Sequence, residues 1–318
     1  MEILLLLLIL HRSEESSIAD HFGDSMTSTV TENKKNQIFD FNIFSDVTNN
    51  KVYIIRKCTY INMHQHPIRS DSRPTNVLIE TSLFENCNDP GSGGAIYIKD
   101  GNKIVLDKVC AYKCTAVGDG HFLTYTHTDF SVYKTTIYSA KNKNNIGPQS
   151  TTIEISGNSG CFKNLNCSFN KAILTSALNL IATGSLCINY SIINNNKNAK
   201  QIINIVQDKV RTFSCNFLNN RGENLFNINS NELALVGTSI YGNGVTNVFF
   251  GSGSQPSILL SEVYIDSDKS VGIRTISYSN KVVSKSSVNM ERIISCGIDP
   301  VPMTAVRKVE QINNVYKI

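Results

Sequence analysis

Short runs of alternating apolar and polar residues, such as "KIVLDKV", "ELALVGT" and "SILLSEV", follow one another along most of the chain, separated by polar turns. A period of two places alternate side chains on opposite faces, so these runs predict half-buried strands. Residues 172–190 form a longer uncharged run, but Thr175, Ser176, Asn179, Thr183, Gly184 and Ser185 interrupt it. It is expected to be two buried strands and a turn, not a membrane span.

The runs repeat. Triplets of Cys or Ser, any residue, then an aromatic or aliphatic residue recur at Cys58-Thr59-Tyr60, Ser82-Leu83-Phe84, Cys110-Ala111-Tyr112, Cys167-Ser168-Phe169, Ser191-Ile192-Ile193, Cys215-Asn216-Phe217 and Ser239-Ile240-Tyr241. Their first positions are spaced 24, 28, 57, 24, 24 and 24 residues apart. The gap of 57 is two periods plus an insertion, which the loop at residues 139–150 can hold; a further step of 24 reaches Val263 and Ile265. A strand-based repeat near 24 residues predicts an all-β fold, a right-handed parallel β-helix or β-solenoid of roughly ten coils. Like residues would then stack about 4.8 Å apart. Tyr60, Phe84, Tyr112, Phe169, Ile193, Phe217, Tyr241 and Ile265 are the expected inward ladder, and core is favoured over a sugar-stacking platform. A leucine-rich repeat shares the period range but needs a Leu-x-x-Leu-x-Leu signature that is missing. A pair of β-sandwiches is the competing architecture.

Residues 51–295 are assigned to the coil, residues 20–50 to an N-terminal cap or disordered segment, and residues 296–318 to a C-terminal cap or tail. Residues 1–19, with the apolar run from Ile3 to Leu10 and small residues at Ser17 and Ala19, fit a cleaved secretory signal. The run is too short to span a bilayer, and no transmembrane segment is expected.

Composition agrees with strands and turns. The chain holds 37 Asn and no Trp, and Asn suits turns. Charged residues make up 18% and the net charge is only +4, so nothing points to nucleic acid. Nine cysteines favour an oxidising compartment. Cys87 and Cys114 lie close to one local period apart and could form a disulfide between successive coils. Cys167 and Cys215, two coils or roughly 10 Å apart, are too distant and read as buried hydrophobes. Asn166-Cys167-Ser168 and Asn189-Tyr190-Ser191 are glycosylation sequons, compatible with secretion.

Gly93 and Gly94 precede Ala95-Ile96-Tyr97-Ile98, which is strand-like. A phosphate loop would lead into a helix and carry a Lys-Ser or Lys-Thr pair, so a sharp corner between faces is the better reading. Phe84-Glu85-Asn86-Cys87 followed by Gly93-Gly94-Ala95-Ile96 resembles the paired Phe-x-x-Asn and Gly-Gly-Ala-Ile repeats of the chlamydial polymorphic outer-membrane proteins. It is similar, too, to the related trichomonad surface proteins, in which Cys often takes the Asn place. Phe217-Leu218-Asn219-Asn220 repeats the first half of the motif; the second half occurs once. The resemblance implies a right-handed parallel β-helix displayed outside the cell and used in adhesion or host contact.

β-Helices also house polysaccharide lyases and hydrolases, which need two carboxyls about 5–10 Å apart. Asp119 and His121 are the candidates for such catalysis, in a stretch that also holds His127 and Asp129. It resembles the acid-and-histidine stretches of polygalacturonases, without that family's tandem Asp pair or Arg-x-Lys motif. His64 and His66, alternate residues expected on one side of a strand, are the candidate metal ligands, two short of a closed zinc site. No cofactor is expected. The reading is a secreted or cell-surface, non-catalytic binder of a host-cell surface protein, matrix or glycan. The loop at residues 139–150, with Lys141 and Lys143, is the candidate contact surface. A pectin-degrading type of lyase or hydrolase is the alternative.

Overall fold

The structure is a computed structural model, and it describes residues 21–22, 26–41, 51–71, 75–142, 150–207, 209–253 and 255–279. The proposed signal at 1–19, the proposed tail at 296–318 and residues 143–149 of the candidate contact loop lie outside the described residues. Every strand pairing is parallel and joins one turn of chain to the next, giving a β-solenoid of about nine turns with about 25 residues each. Among the described residues no helix is long and apolar enough to cross a membrane.

Each turn carries three principal strands, and Asn88–Asp89, Thr115–Ala116 and Lys141–Asn142 add a small three-stranded sheet of their own. The shortest principal strands, three residues in most turns, stack from Thr59–Ile61 to Tyr264–Ile265 as one nine-stranded sheet. The other two faces are joined into a 19-stranded sheet, because Ile96–Asp107 and Leu123–Tyr133 run from one face into the next. The coil begins upstream of Lys51. Thr27–Glu32 pairs with Lys51–Arg56, Phe39–Asp40 pairs with Ile68–Arg69, and Phe39 and Phe41 are buried in the same interior.

Two columns of left-handed residues bound the short strand. One comprises Lys57, Thr81, Lys108, Lys134, Asn164, Tyr190, Ser214 and Gly237; the other, five residues later in each turn, runs from Asn62 through Asn86, Lys113, Ser139, Phe169, Asn195 and Asn219 to Gly242. Positive φ costs a non-glycine residue roughly 1–2 kcal/mol, so the rest of the turn must over-determine these bends. It does so through an interior of stacked apolar side chains, each worth about 1.5–3 kcal/mol when fully buried.

The inner ladder of the short face is Tyr60, Phe84, Ala111, Ile137, Cys167, Ile193, Phe217, Ile240 and Ile265. Tyr60 and Phe84 stack with ring centroids 4.8 Å apart. Five of the eight expected members, Tyr60, Phe84, Ile193, Phe217 and Ile265, stand in it; Tyr112, Phe169 and Tyr241 do not. Each sits one or two residues past the inner position, where Ala111, Cys167 and Ile240 point inward instead. Tyr112 and Phe169 flank Tyr138 in an outer, half-buried stack, with centroids 5.6 and 5.1 Å apart, and Phe169 itself occupies a left-handed corner. The gap of 57 hides a whole turn around Thr136–Tyr138.

A second inner column explains the asparagines. Thr115, Lys171, Lys197, Arg221 and Gly244 donate backbone N–H groups to Cys87, Ala140, Asn170, Asn196 and Asn220, aligning those residues turn by turn. The Oδ1 of Asn196 accepts both the backbone N–H and the Nδ2 of Asn170, at 3.0 Å each. The Asn220 and Asn243 carboxamides do the same for Asn196 and Asn220. In the earlier turns Cys87 and Cys114 stand in this column, and their thiols lie near the carbonyls of Tyr60 and Phe84. Phe-x-x-Asn thus describes one inward aromatic, one left-handed corner and one ladder member.

The glycine pair forms a corner. Gly93 has φ +72°, and a Cβ on Gly94 would lie 2.2 Å from the carbonyl oxygen of His121, so the backbones of adjacent turns could not approach as they do. Ala95 and Ile96 follow it into the buried interior.

Candidate surface groove

The outer side of the face that includes Lys51–Arg56 changes character along the axis. In the early turns its outward residues Ile54, Leu78 and Val105 are buried, with Phe22, Met26 and Tyr133 packed over them. Lys103 marks the edge of this cover: its Nζ donates to the His21 carbonyl and lies 5.5 Å from the Phe22 ring. Beyond it the same columns open into a groove of about 580 Å3. Its floor holds Ser131, Ser159, Ser185 and a disulfide between Cys161 and Cys187, and its rim holds Lys103, Asp129, Lys209 and Arg211.

Strand register sets this arrangement. Ser131, Cys161, Cys187 and Arg211 are successive members of one outward column. The strand Lys209–Phe213 alternates strictly, with Lys209, Arg211 and Phe213 exposed and Val210 and Thr212 buried. Phe213 is 43% exposed, and its ring makes a T-shaped contact with Tyr190, centroids 5.5 Å apart. No described carboxylate lies within ion-pair distance of Lys209 or Arg211. One strand therefore offers two exposed cations that form no ion pair among the described residues, with Glu232 in register with Lys209 on the next turn, and an accessible aromatic ring. The sequence signal was "KVRTF", whose period-two alternation puts all three on one side.

The residues considered for catalysis lie on another face. His121 is fully buried, its Nε2 3.0 Å from Ser150 Oγ, and burial lowers its pKa to about 3, so it is a neutral internal side chain. Asp119 is half-buried with one carboxylate oxygen lacking a partner, and burial raises its pKa to about 6. Sequence reasoning missed its neighbour on the next turn, Glu154. Burial, and then the Asp119 charge, raise the Glu154 pKa to about 7 despite hydrogen bonds from Asn179 and Thr151. Glu154 terminates an outer amide chain in which Asn227 donates to Asn204 and Asn204 to Asn179, both at 2.6 Å. Its detectable signal was an acid at an outward position of "TTIEIS".

The two candidate metal ligands do not share a strand, because the chain bends through His64 and His66. His64 is exposed, whereas His66 Nδ1 is 3.2 Å from Asp89 and its Nε2 2.5 Å from the Ser92 carbonyl. Those contacts occupy both imidazole nitrogens and tie one corner to the next. Cys87 and Cys114 do stack on adjacent turns, but as free thiols. The thiol of Cys114 and burial push the Cys87 thiol up. Asn166 is 6% exposed and accepts a hydrogen bond from Ser168, while Asn189 is half-buried on the outer face beside the disulfide.

The fold defines a parallel β-solenoid with a solvent-accessible groove on its outer face. No family model matches the chain, and no curated protein or solved structure matches it.

Proposed function

We propose that this chain is a non-catalytic β-solenoid displayed outside the cell, where it binds glycans on a host or matrix surface. The observation that carries this reading is the exposed triad Lys209, Arg211 and Phe213 beside a largely apolar groove that carries three serines. Serine hydroxyls can exchange hydrogen bonds with sugar hydroxyls, and an exposed aromatic ring can stack on a sugar's apolar side. The outward disulfide Cys161–Cys187 supports an oxidising, extracellular location. The Phe84-to-Cys87 and Phe217-to-Asn220 motifs, which share one structural grammar, support kinship with polymorphic outer-membrane-protein-like surface proteins. A glycan array probed with the full chain tests the reading: retention of at least one glycan class is expected, and an empty array overturns it.

A second reading, hydrolysis or elimination on a polysaccharide, is favoured by one observation. Asp119 and Glu154 are interacting carboxyls on adjacent turns, both with raised proton affinity. Release of reducing or unsaturated ends from pectic substrates, lost in Asp119→Asn, would establish it in place of the first.

A further inference from the structure

We infer that the groove and the strand Lys209–Phe213 form a site for an acidic polysaccharide, one carrying sugar carboxylates or sulfates. This inference rests on the glycan-binding reading above and names the class of glycan.

The argument begins with charge. Lys209 and Arg211 lie two residues apart on one side of a strand, about 7 Å by strand rise. Neither has a carboxylate partner at ion-pair distance among the described residues. Lys103 stands in the same outward column as Lys209 with Asp129, Ser159 and Ser185 between them, about 19 Å away by strand spacing. Exposed Lys163 adds a fourth cation one column over, in register with Asn189 and Phe213. The groove thus has cations at both ends, with Asp129 beside Lys103 and Glu232 beside Lys209, and a largely apolar floor of Phe130, Leu186 and the disulfide dotted with three serines. An extended anionic chain crossing the turns would meet positive charge at each end. A neutral chain would leave Lys209 and Arg211 unused.

The ring selects a glycan over other anions. Phe213 is the aromatic on the cationic strand, and its contact with Tyr190 restrains it in place. Sugar rings have an apolar side that packs on such a surface and hydroxyls that exchange hydrogen bonds with the serines. The guanidinium of Arg211 can pair with a carboxylate or sulfate through two parallel hydrogen bonds. The disulfide beneath it joins the two turns of the floor, keeping the anion subsite fixed relative to the hydroxyls.

The full chain should be titrated with a sulfated glycosaminoglycan, a polyuronate, a neutral glucan and poly-glutamate, each over a range of salt. Binding to one or both acidic glycans is expected, weakening at least tenfold between low and high salt as charge is screened. Arg211→Ser and Lys209→Ser should each weaken binding about tenfold. Phe213→Ser should weaken it without changing the salt dependence. Lys209 and Arg211 are exposed, so their substitutions should leave thermal melting unchanged, which separates loss of binding from loss of fold; Phe213→Ser also loses the Tyr190 contact, so its binding is measured well below its own melting midpoint. Equal binding of the neutral glucan overturns the acidic specificity while leaving glycan binding intact. Failure of every glycan overturns both. Acidic-glycan binding that survives the Arg211 and Lys209 substitutions, or poly-glutamate binding as tight as the glycans, overturns the site.

Discussion

Cys161 and Cys187 face each other in register on adjacent turns, with their Cα atoms 4.6 Å apart, and a disulfide closes the 26-residue coil between them. The Cys58, Cys87, Cys114, Cys167 and Cys215 side chains are all buried free thiols. Burial raises the Cys167 and Cys215 thiols to about 12, so neither forms thiolate near neutral pH. Reduction of the Cys161–Cys187 bond should destabilise the protein by about 3 kcal/mol on the loop-entropy argument. Urea unfolding of a Cys161→Ser, Cys187→Ser double variant against the parent measures this, because a reductant would also open the disulfide of Cys110. In the folded protein a thiol reagent should leave the five buried thiols unmodified until unfolding exposes them.

The inner asparagine column makes a sharper prediction because neighbouring residues play opposite parts. Asn220 Oδ1 accepts the Asn196 backbone N–H and Nδ2, and Asn220 Nδ2 donates to the Ile193 carbonyl at 2.9 Å. Asn220→Ala strands all three inside the coil, a loss of about 3 kcal/mol or more at roughly 1–3 kcal/mol per buried unsatisfied group. Asn219, next to it, supplies a left-handed corner and points outward. Asn219→Ala should cost about 1 kcal/mol, the corner's conformational penalty alone. Denaturation midpoints of the two variants decide the order, and a larger loss at Asn219 would contradict the ladder.

The same columns show what the sequence made legible. The repeat length, the parallel coil, the corner at Gly93 and Gly94, and the inward Phe84 and Phe217 could all be read from spacing. Phase could not. The turn starts at Val109, Thr135, Leu165 and Thr238 carry neither Cys nor Ser, so the triplet search locked onto Cys110, Cys167 and Ser239, one or two residues late. A slip of one residue reverses which face a strand residue occupies. Hence the triplets place Tyr112 and Tyr241 inward, where the coil has Ala111 and Ile240. Turn length also varies, because strands of the second face carry bulges near Tyr125, Thr151 and Thr175. Lys209, Arg211 and Phe213 were invisible to a repeat search for a simpler reason: outward residues need not resemble the residues stacked above them.

Corners built from non-glycine residues offer a route to greater stability. Thr81 adopts φ 46° although it is β-branched and exposed, so it bears the bend's conformational cost with little packing to offset it. Thr81→Gly should stabilise the protein by about 1 kcal/mol, less what the freer unfolded chain returns. The expected outcome is a higher thermal midpoint. Tyr190→Gly, at an equivalent corner, should show no such gain, because Tyr190 also packs against Phe213.

Glu154 gives stability an unusual pH dependence. Burial holds its pKa near 7, against about 4.5 for an ordinary glutamate, so the folded state binds a proton more tightly than the unfolded state does. Between those two values the folded chain carries the extra proton, and stability therefore falls as pH rises from about 4.5 to about 7. Asp119, with its pKa raised to about 6, contributes in the same direction between about 4 and 6. Glu154→Gln keeps a carboxamide at the end of the Asn227–Asn204–Asn179 chain and removes the titrating group. It should flatten the slope, stabilising the protein at pH 7.5 by on the order of 2 kcal/mol while changing little at pH 4.5. Urea titrations of both proteins at the two pH values test this, and a variant less stable than the parent at pH 7.5 would show that Glu154 is held there as a favourable anion.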